Sequence, residues 1–153
     1  MNEADKRVAA GKVAGQSDLL DVRLIRASIG MPSFPAQDVD LRFDLTTTPR
    51  VQYDDGADSF AVSVTYDLTV TQDEADGGER RIADISFTYA ALFDTNPAEA
   101  FTDESLESFA ETTGQFALYP YAREYIQDLT GRLGLPPLTL GLFKVTPEAN
   151  TDE

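Results

Sequence analysis

The sequence predicts an α+β fold: a four-stranded antiparallel sheet with one face covered by a long C-terminal helix. The hydrophobic period of the 153-residue chain is two in its central part and changes once, to about three and a half, where the chain becomes helical after the last strand. An Asp76-Gly77 step joins two of the alternating segments, which is typical of an antiparallel hairpin. A sheet with one apolar face needs a cover, and the helix that follows it in the chain supplies one.

The N-terminal segment, residues 1–17, mixes Ala, Gly, Lys and Ser without an apolar period. We therefore expect it to be flexible, and we expect the acidic tail at residues 147–153 to be disordered. Since single domains commonly have ~100–150 residues, one folded domain is expected at residues 18–146.

Four strands are predicted before the helices. The first runs from Leu20 to Ile29, and its apolar residues change face after Leu24, which indicates either a β-bulge or a strand that passes between two apolar surroundings. The other three alternate between apolar and polar residues, as half-buried strands do. Their apolar positions are Val39, Leu41, Phe43 and Leu45 in the second strand, Phe60, Val62, Val64, Tyr66, Leu68 and Val70 in the third, and Ile85, Phe87, Tyr89, Ala91 and Phe93 in the fourth.

Two helices are predicted after the strands. Asn96 or Thr102 caps a short helix that stops at Gly114. The main helix begins near Phe116 and ends at Gly134, just before two prolines. Its apolar residues recur at intervals of three and four, and this stripe is expected to be core or a subunit interface. The stripe consists of Tyr119, Ala122, Ile126, Leu129 and Leu133.

The composition excludes several kinds of site. The chain has no Cys, His or Trp, so it cannot form a disulfide, a zinc site with these ligands or a Ser-His-Asp triad. The acidic runs at residues 54–58 and 73–79 lack the ligand order of a calcium loop and are interpreted as solvated turns. We expect no metal, no cofactor and no enzyme activity.

The charge limits the partners. With 27 acidic and 12 basic residues, the net charge is -15, which repels nucleic acid and anionic lipid. No apolar run reaches the roughly 18–20 residues of a membrane span, and the acidic start is unlike a signal peptide. A cytoplasmic protein with neutral, basic or apolar partners is expected.

Two groups of residues are candidates for binding. Ile29, Met31 and Phe34 flank a Pro-rich loop outside the regular pattern, so they form either a buried plug or an exposed apolar surface. A second group is acidic and is expected on the uncovered face of the sheet, as a docking surface or a merely solvated one. It comprises Asp40, Asp44, Asp67 and Asp84.

The main helix carries a family signature. Its start, residues 119–124 (Tyr-Pro-Tyr-Ala-Arg-Glu), and the later segment at residues 136–140 (Pro-Pro-Leu-Thr-Leu) resemble the signature of the SecB export-chaperone family. The resemblance covers roughly residues 20–145 and is most specific in the last third. It implies a homotetramer, a dimer of dimers with the long helices at the interface. It also implies binding of unfolded or slowly folding polypeptides in apolar grooves, delivery to the SecA motor, and no catalysis or cofactor.

The resemblance also suggests residue roles and an alternative function. It assigns client binding to Leu41, Phe43 and Leu45 together with Met31 and Phe34, unless the strand residues only pack against the helix. It makes the acidic face a candidate SecA dock.

After Leu142 the sequence runs into a short acidic end, so we expect the family's second helix to be missing or vestigial, no zinc-linked contact of the family form, and a shallower or more open groove. This departure favours the alternative, a dedicated SecB-like chaperone that protects the antitoxin of a toxin-antitoxin system. A small-ligand carrier would instead require a closed pocket.

Overall fold

The computed structural model describes residues 2–54, 56–95 and 101–141. Four strands form one antiparallel sheet in the order β1-β4-β3-β2, which confirms the predicted fold class. The strands are β1 (Leu19–Gly30), β2 (Leu41–Gln52), β3 (Ser59–Asp73) and β4 (Glu79–Asp94), and the helices are α1 (Glu3–Ala14), α2 (Asp103–Phe109) and α3 (Gln115–Arg132).

The two central strands bury one face under the C-terminal helices. In β3, alternate residues from Phe60 to Val70 are buried, and β4 buries Ile85, Phe87 and Phe93 on the same face. We call this the covered face and the opposite one the open face. The buried side chains pack against α2 and α3, so the alternation read from the sequence marks the core.

The edge strands differ from their predicted forms. β2 begins at Leu41 rather than Val39 and extends to Gln52, with Pro49 tolerated because the strand lies at the sheet edge. β1 contains the expected irregularity, a register shift between Leu24 and Arg26. Most of its residues are exposed.

Gly114 does not stop the short helix, contrary to the prediction. α2, which Thr102 caps through the Ser105 amide at 3.1 Å, continues through a π-helical turn at Ala110–Gly114 directly into α3. Asn96, the other predicted cap, lies outside the described residues. A glycine is needed at 114 because a Cβ there would lie 2.9 Å from Val62 Cγ1.

Gly134 does end α3, as predicted. Its φ is 76°, and the Leu135 amide donates to the Thr130 carbonyl at 3.0 Å while the Gly134 amide donates to Gly131 at 3.1 Å. These two hydrogen bonds form a Schellman motif, which satisfies the last helical carbonyls.

The N-terminal segment expected to be flexible forms α1. Asn2 caps it, and Ala10 and Val13 are buried as α1 packs against α2. Two small buried residues on a polar helix leave no periodic signal, which explains why the sequence pattern missed it. The predicted tail at residues 147–153 lies outside the described residues, and the boundary of the domain stays a prediction.

Candidate functional site

An open cleft lies beside the edge strand β2. It has a volume of about 600 Å³ and lies between the loop after β1, the start of β2 and the segment after α3. Most of the lining is apolar. It consists of Pro35, Ala36, Gln37, Val39, Asp40, Leu41, Phe43, Gln72 and Pro136.

The structure brings two of the predicted client-binding residues into this cleft. Leu41 and Phe43 project from β2 on the covered face and are only half-buried, so each packs on the core and also lines the cleft. Leu45 lies two residues further along β2 on the same face, but it does not line the cleft.

The other predicted apolar residues lie elsewhere. Phe34 is 88% exposed, and Met31 packs partly against the core. Ile29 lies in the same cross-strand row as Leu45, but at the opposite edge of the sheet. The apolar surface predicted from the sequence is therefore divided between the cleft, the loop tip and β1.

Gln72 fixes the loop wall of the cleft. Its side chain is only 2% exposed, and its Nε2 donates to the carbonyls of Ala36 and Val39 at 3.0 Å each. Its Oε1 accepts from the Ala36 amide at 2.8 Å. Gln72 was not among the residues predicted from the sequence, although a polar residue in phase with the buried alternation of β3 was a usable signal.

A buried threonine anchors the segment that contributes Pro136 to the cleft. Thr130 Oγ1 donates to the Ile126 carbonyl at 2.7 Å and accepts from the Leu138 amide at 2.9 Å. Because Leu135 is bound to the same helical turn, Pro136 is held between two anchored residues. The segment after α3 is thus tied to the helix where it borders the cleft.

The acidic residues do not form one group. Asp44 and Asp84 lie in one row across the open face, on either side of Thr69, and Asp67 lies in the adjacent row. Asp84 pairs with Arg81 at 3.4 Å. Asp40 precedes β2 and lines the cleft instead.

The apolar stripe of α3 faces the chain's own sheet. Ala122, Ile126 and Leu129 are buried in the core, whereas Tyr119 and Leu133 are partly buried against it. The large apolar side chains that α3 leaves exposed are Phe116 and Tyr121.

The described part of the chain lacks two kinds of feature. It contains no group of three or more acidic side chains that could hold a metal ion. None of its helices is long and apolar enough to cross a membrane.

An open apolar cleft beside an edge strand fits an extended polypeptide segment better than an enclosed small ligand. The fold and the cleft therefore have the form expected of a polypeptide-binding protein.

Comparisons with known proteins identify the family. The family model described as "Preprotein translocase subunit SecB" matches residues 32–144. Two Mycobacterium tuberculosis proteins, SecB-like chaperone Rv1957 (strain H37Rv) and SecB-like chaperone MT2006 (strain CDC 1551), are each 36% identical over 155 residues, covering 93% of this chain and 86% of the relative. The chain belongs to the SecB family, as a SecB-like chaperone.

A solved structure agrees with this assignment. It contains Rv1957 in complex with a ChAD peptide from the Rv1956 HigA1 antitoxin. It is 37% identical to this chain, with a TM-score of 0.80, and covers 91% of this chain and 99% of the solved one.

Proposed function

We propose that this chaperone binds an extended segment of an antitoxin in the cleft beside β2 and keeps it from folding or aggregating. The observation that carries the proposal is that Rv1957, similar over nearly its whole length, is bound to an antitoxin peptide. The cleft offers Leu41, Phe43 and Pro136 to apolar side chains of such a segment. No cofactor is needed, and the proposed location is the cytoplasm.

The mechanism is differential binding. An unfolded segment exposes apolar side chains that the folded client buries, so the cleft binds the unfolded form and opposes folding by mass action. Two anchored walls reduce the conformational entropy lost on binding. The client is released when it binds a partner more tightly than it binds the cleft, or when it folds and buries its apolar side chains.

The direct test replaces Phe43, which lines the cleft. Phe43→Asp places a charge where an apolar client side chain is proposed to bind, and we expect affinity for an unfolded client to fall by about tenfold or more. The probe is a fluorescein-labelled peptide rich in Leu and Phe, with binding measured by anisotropy. The milder Phe43→Ala is the second variant, since Phe43 also packs on the core.

The matched control is Thr48→Asp, which adds the same charge to the open face of the same strand. We expect it to bind like wild type. Equal affinities for Phe43→Asp and wild type, with both folded by circular dichroism, would contradict the cleft assignment.

The second candidate is protein export, in which unfolded preproteins are passed to SecA. The family description and the acidic open face favour it. Changing Asp44, Asp67 and Asp84 together to Asn would weaken SecA binding under this proposal but leave peptide binding unchanged.

Capture from native lysate distinguishes the two kinds of client. Recovery of one antitoxin supports the dedicated role, whereas recovery of many secreted precursors supports export.

Self-association is also part of the proposal. β1 is an open edge whose Leu20, Leu24, Ile25 and Ile29 are exposed, while the other edge, β2, contains Pro49. An unprotected edge with apolar side chains pairs readily with another strand. We propose that two copies pair through β1 and that these dimers form the expected dimer of dimers.

A further inference from the structure

The loop between β1 and β2 is held by one side chain from a different strand. Gln72 of β3 uses both of its amide atoms on this loop, in three hydrogen bonds to the backbone of Ala36 and Val39. All three distances, from 2.8 to 3.0 Å, are those of well-formed bonds. The side-chain amide provides hydrogen-bond partners for backbone groups of the loop that would otherwise bond to water.

The bonded residues enclose a strained position. Asp38 lies between Ala36 and Val39 and has a φ of 62°, and no other non-glycine residue in the described ranges has a positive φ. Such a conformation is uncommon for residues with a side chain, although Asp and Asn adopt it more readily than most, and it costs free energy that the surroundings must offset. Gln72 is placed to fix it, because it bonds to the backbone on both sides of Asp38.

The same loop forms a wall of the cleft. Pro35, Ala36, Gln37, Val39 and Asp40 all line it, and Gln72 lines it too. If the loop left this conformation, the cleft would lose one side while the strands and α3 stayed in place.

We infer that Gln72 is the positioning residue of the client cleft, holding the β1–β2 loop in its strained binding conformation before the client arrives. The inference rests on the proposed client cleft. When only a fraction of the molecules holds the binding conformation, the apparent affinity falls by that fraction. Releasing the loop therefore weakens client binding without removing any apolar contact residue.

Two substitutions are designed to release the loop. One changes Gln72, which holds the loop, and the other changes Asp38 within the loop. Gln72→Met keeps the approximate length of the side chain but removes the three hydrogen bonds. Asp38→Val leaves Gln72 intact but puts a β-branched residue at a positive φ, and because Asp38 is exposed, this variant keeps the core unchanged.

Each variant has a matched control. Gln115→Met replaces another buried glutamine, at the start of α3 and not in the cleft lining. Asp38→Asn removes the same charge as Asp38→Val but tolerates the positive φ.

The measurements are hydrogen–deuterium exchange of residues 31–40 by mass spectrometry and affinity for the labelled Leu- and Phe-rich peptide. We expect Gln72→Met and Asp38→Val to speed exchange in this loop and to weaken the peptide about tenfold. Exchange in the centre of β3 should stay unchanged, which separates loop release from global unfolding. Both controls should stay within about twofold of wild type.

The outcomes are distinct. Unchanged loop exchange in Gln72→Met, or faster exchange with unchanged affinity, overturns the inference but leaves the proposed function standing. A wild-type protein that does not bind the peptide overturns the proposed function and this inference with it. If Gln72→Met does not fold, Asp38→Val decides by the same criteria.

Discussion

Gly114 determines how closely the helical cover approaches the sheet. It lies at the end of the π turn and has ordinary helical angles, so backbone flexibility is not the reason for glycine here. A Cβ at this position would come within 2.9 Å of Val62 Cγ1 and 3.3 Å of the Phe109 carbonyl oxygen. Val62 is fully buried and cannot move aside without disturbing its neighbours.

We therefore expect Gly114→Ala to destabilise the fold by about 1–3 kcal/mol, the usual cost of overpacking. The matched control is Gly131→Ala in α3, where a Cβ meets only Pro137 Cγ at an ordinary 3.7 Å. That change should be neutral or stabilising by up to about 1 kcal/mol, because alanine favours a helix. Urea unfolding measures both, and equal stability of the two variants would contradict the packing argument.

Tyr66 places a buried hydroxyl group inside the apolar core. Its ring stacks on Phe87 with centroids 5.0 Å apart, and its Oη has no hydrogen-bond partner within the described residues. Burial, with a smaller contribution from the neighbouring Tyr119 and Tyr89, raises the pKa of Tyr66 above its ordinary value of 10.0. The neutral form is thus strongly favoured in the folded state.

The raised pKa predicts a pH-dependent stability. Above about pH 10 the unfolded chain releases the Tyr66 proton while the folded chain retains it, so stability falls as the pH rises. Tyr66→Phe removes this effect and should show a shallower loss of unfolding free energy at alkaline pH. At neutral pH it should be neutral or stabilising by up to about 1 kcal/mol. Exposed Tyr121→Phe is the control, and an alkaline slope unchanged by Tyr66→Phe would contradict the prediction.

Elements with a one-sided apolar pattern could be predicted from the sequence. In β3 the alternation is strict because one face packs under α2 and α3 while the other meets solvent, and α3 follows its stripe for the same reason. α1 could not be predicted in this way. It buries only Ala10 and Val13, and its contact with α2 depends on the chain order of the whole fold.

The same distinction applies to the candidate site. The alternation of a regular strand predicted that Leu41 and Phe43 share one face, and the family resemblance assigned them to client binding. Pro35, Gln72 and Pro136 come from three separate elements, and only the tertiary fold brings them to one cleft. A local pattern does not contain that information.

At the scale of the whole molecule, two forces act on self-association. A net charge of -15 makes copies repel each other. The open β1 edge favours pairing, and its most exposed large apolar side chain is Ile25, at 58%. The two effects respond in opposite directions when positive charge is added to this edge.

Adding lysine at the centre of β1 separates these effects. Leu24 and Ile25 are the middle residues of β1, so antiparallel pairing of two copies over their full length would bring their introduced charges together. We expect wild type to be a dimer or larger oligomer, and Leu24→Lys/Ile25→Lys to be monomeric, although the lysines reduce the net negative charge.

The control is Thr46→Lys/Thr48→Lys, which changes the net charge equally on the other edge strand. Light scattering coupled to gel filtration measures all three. Under pairing through β1, the control keeps the wild-type assembly. If overall charge governed association, both double variants would assemble more strongly than wild type. A monomeric wild type, or a β1 variant that stays oligomeric, would therefore contradict pairing through this edge.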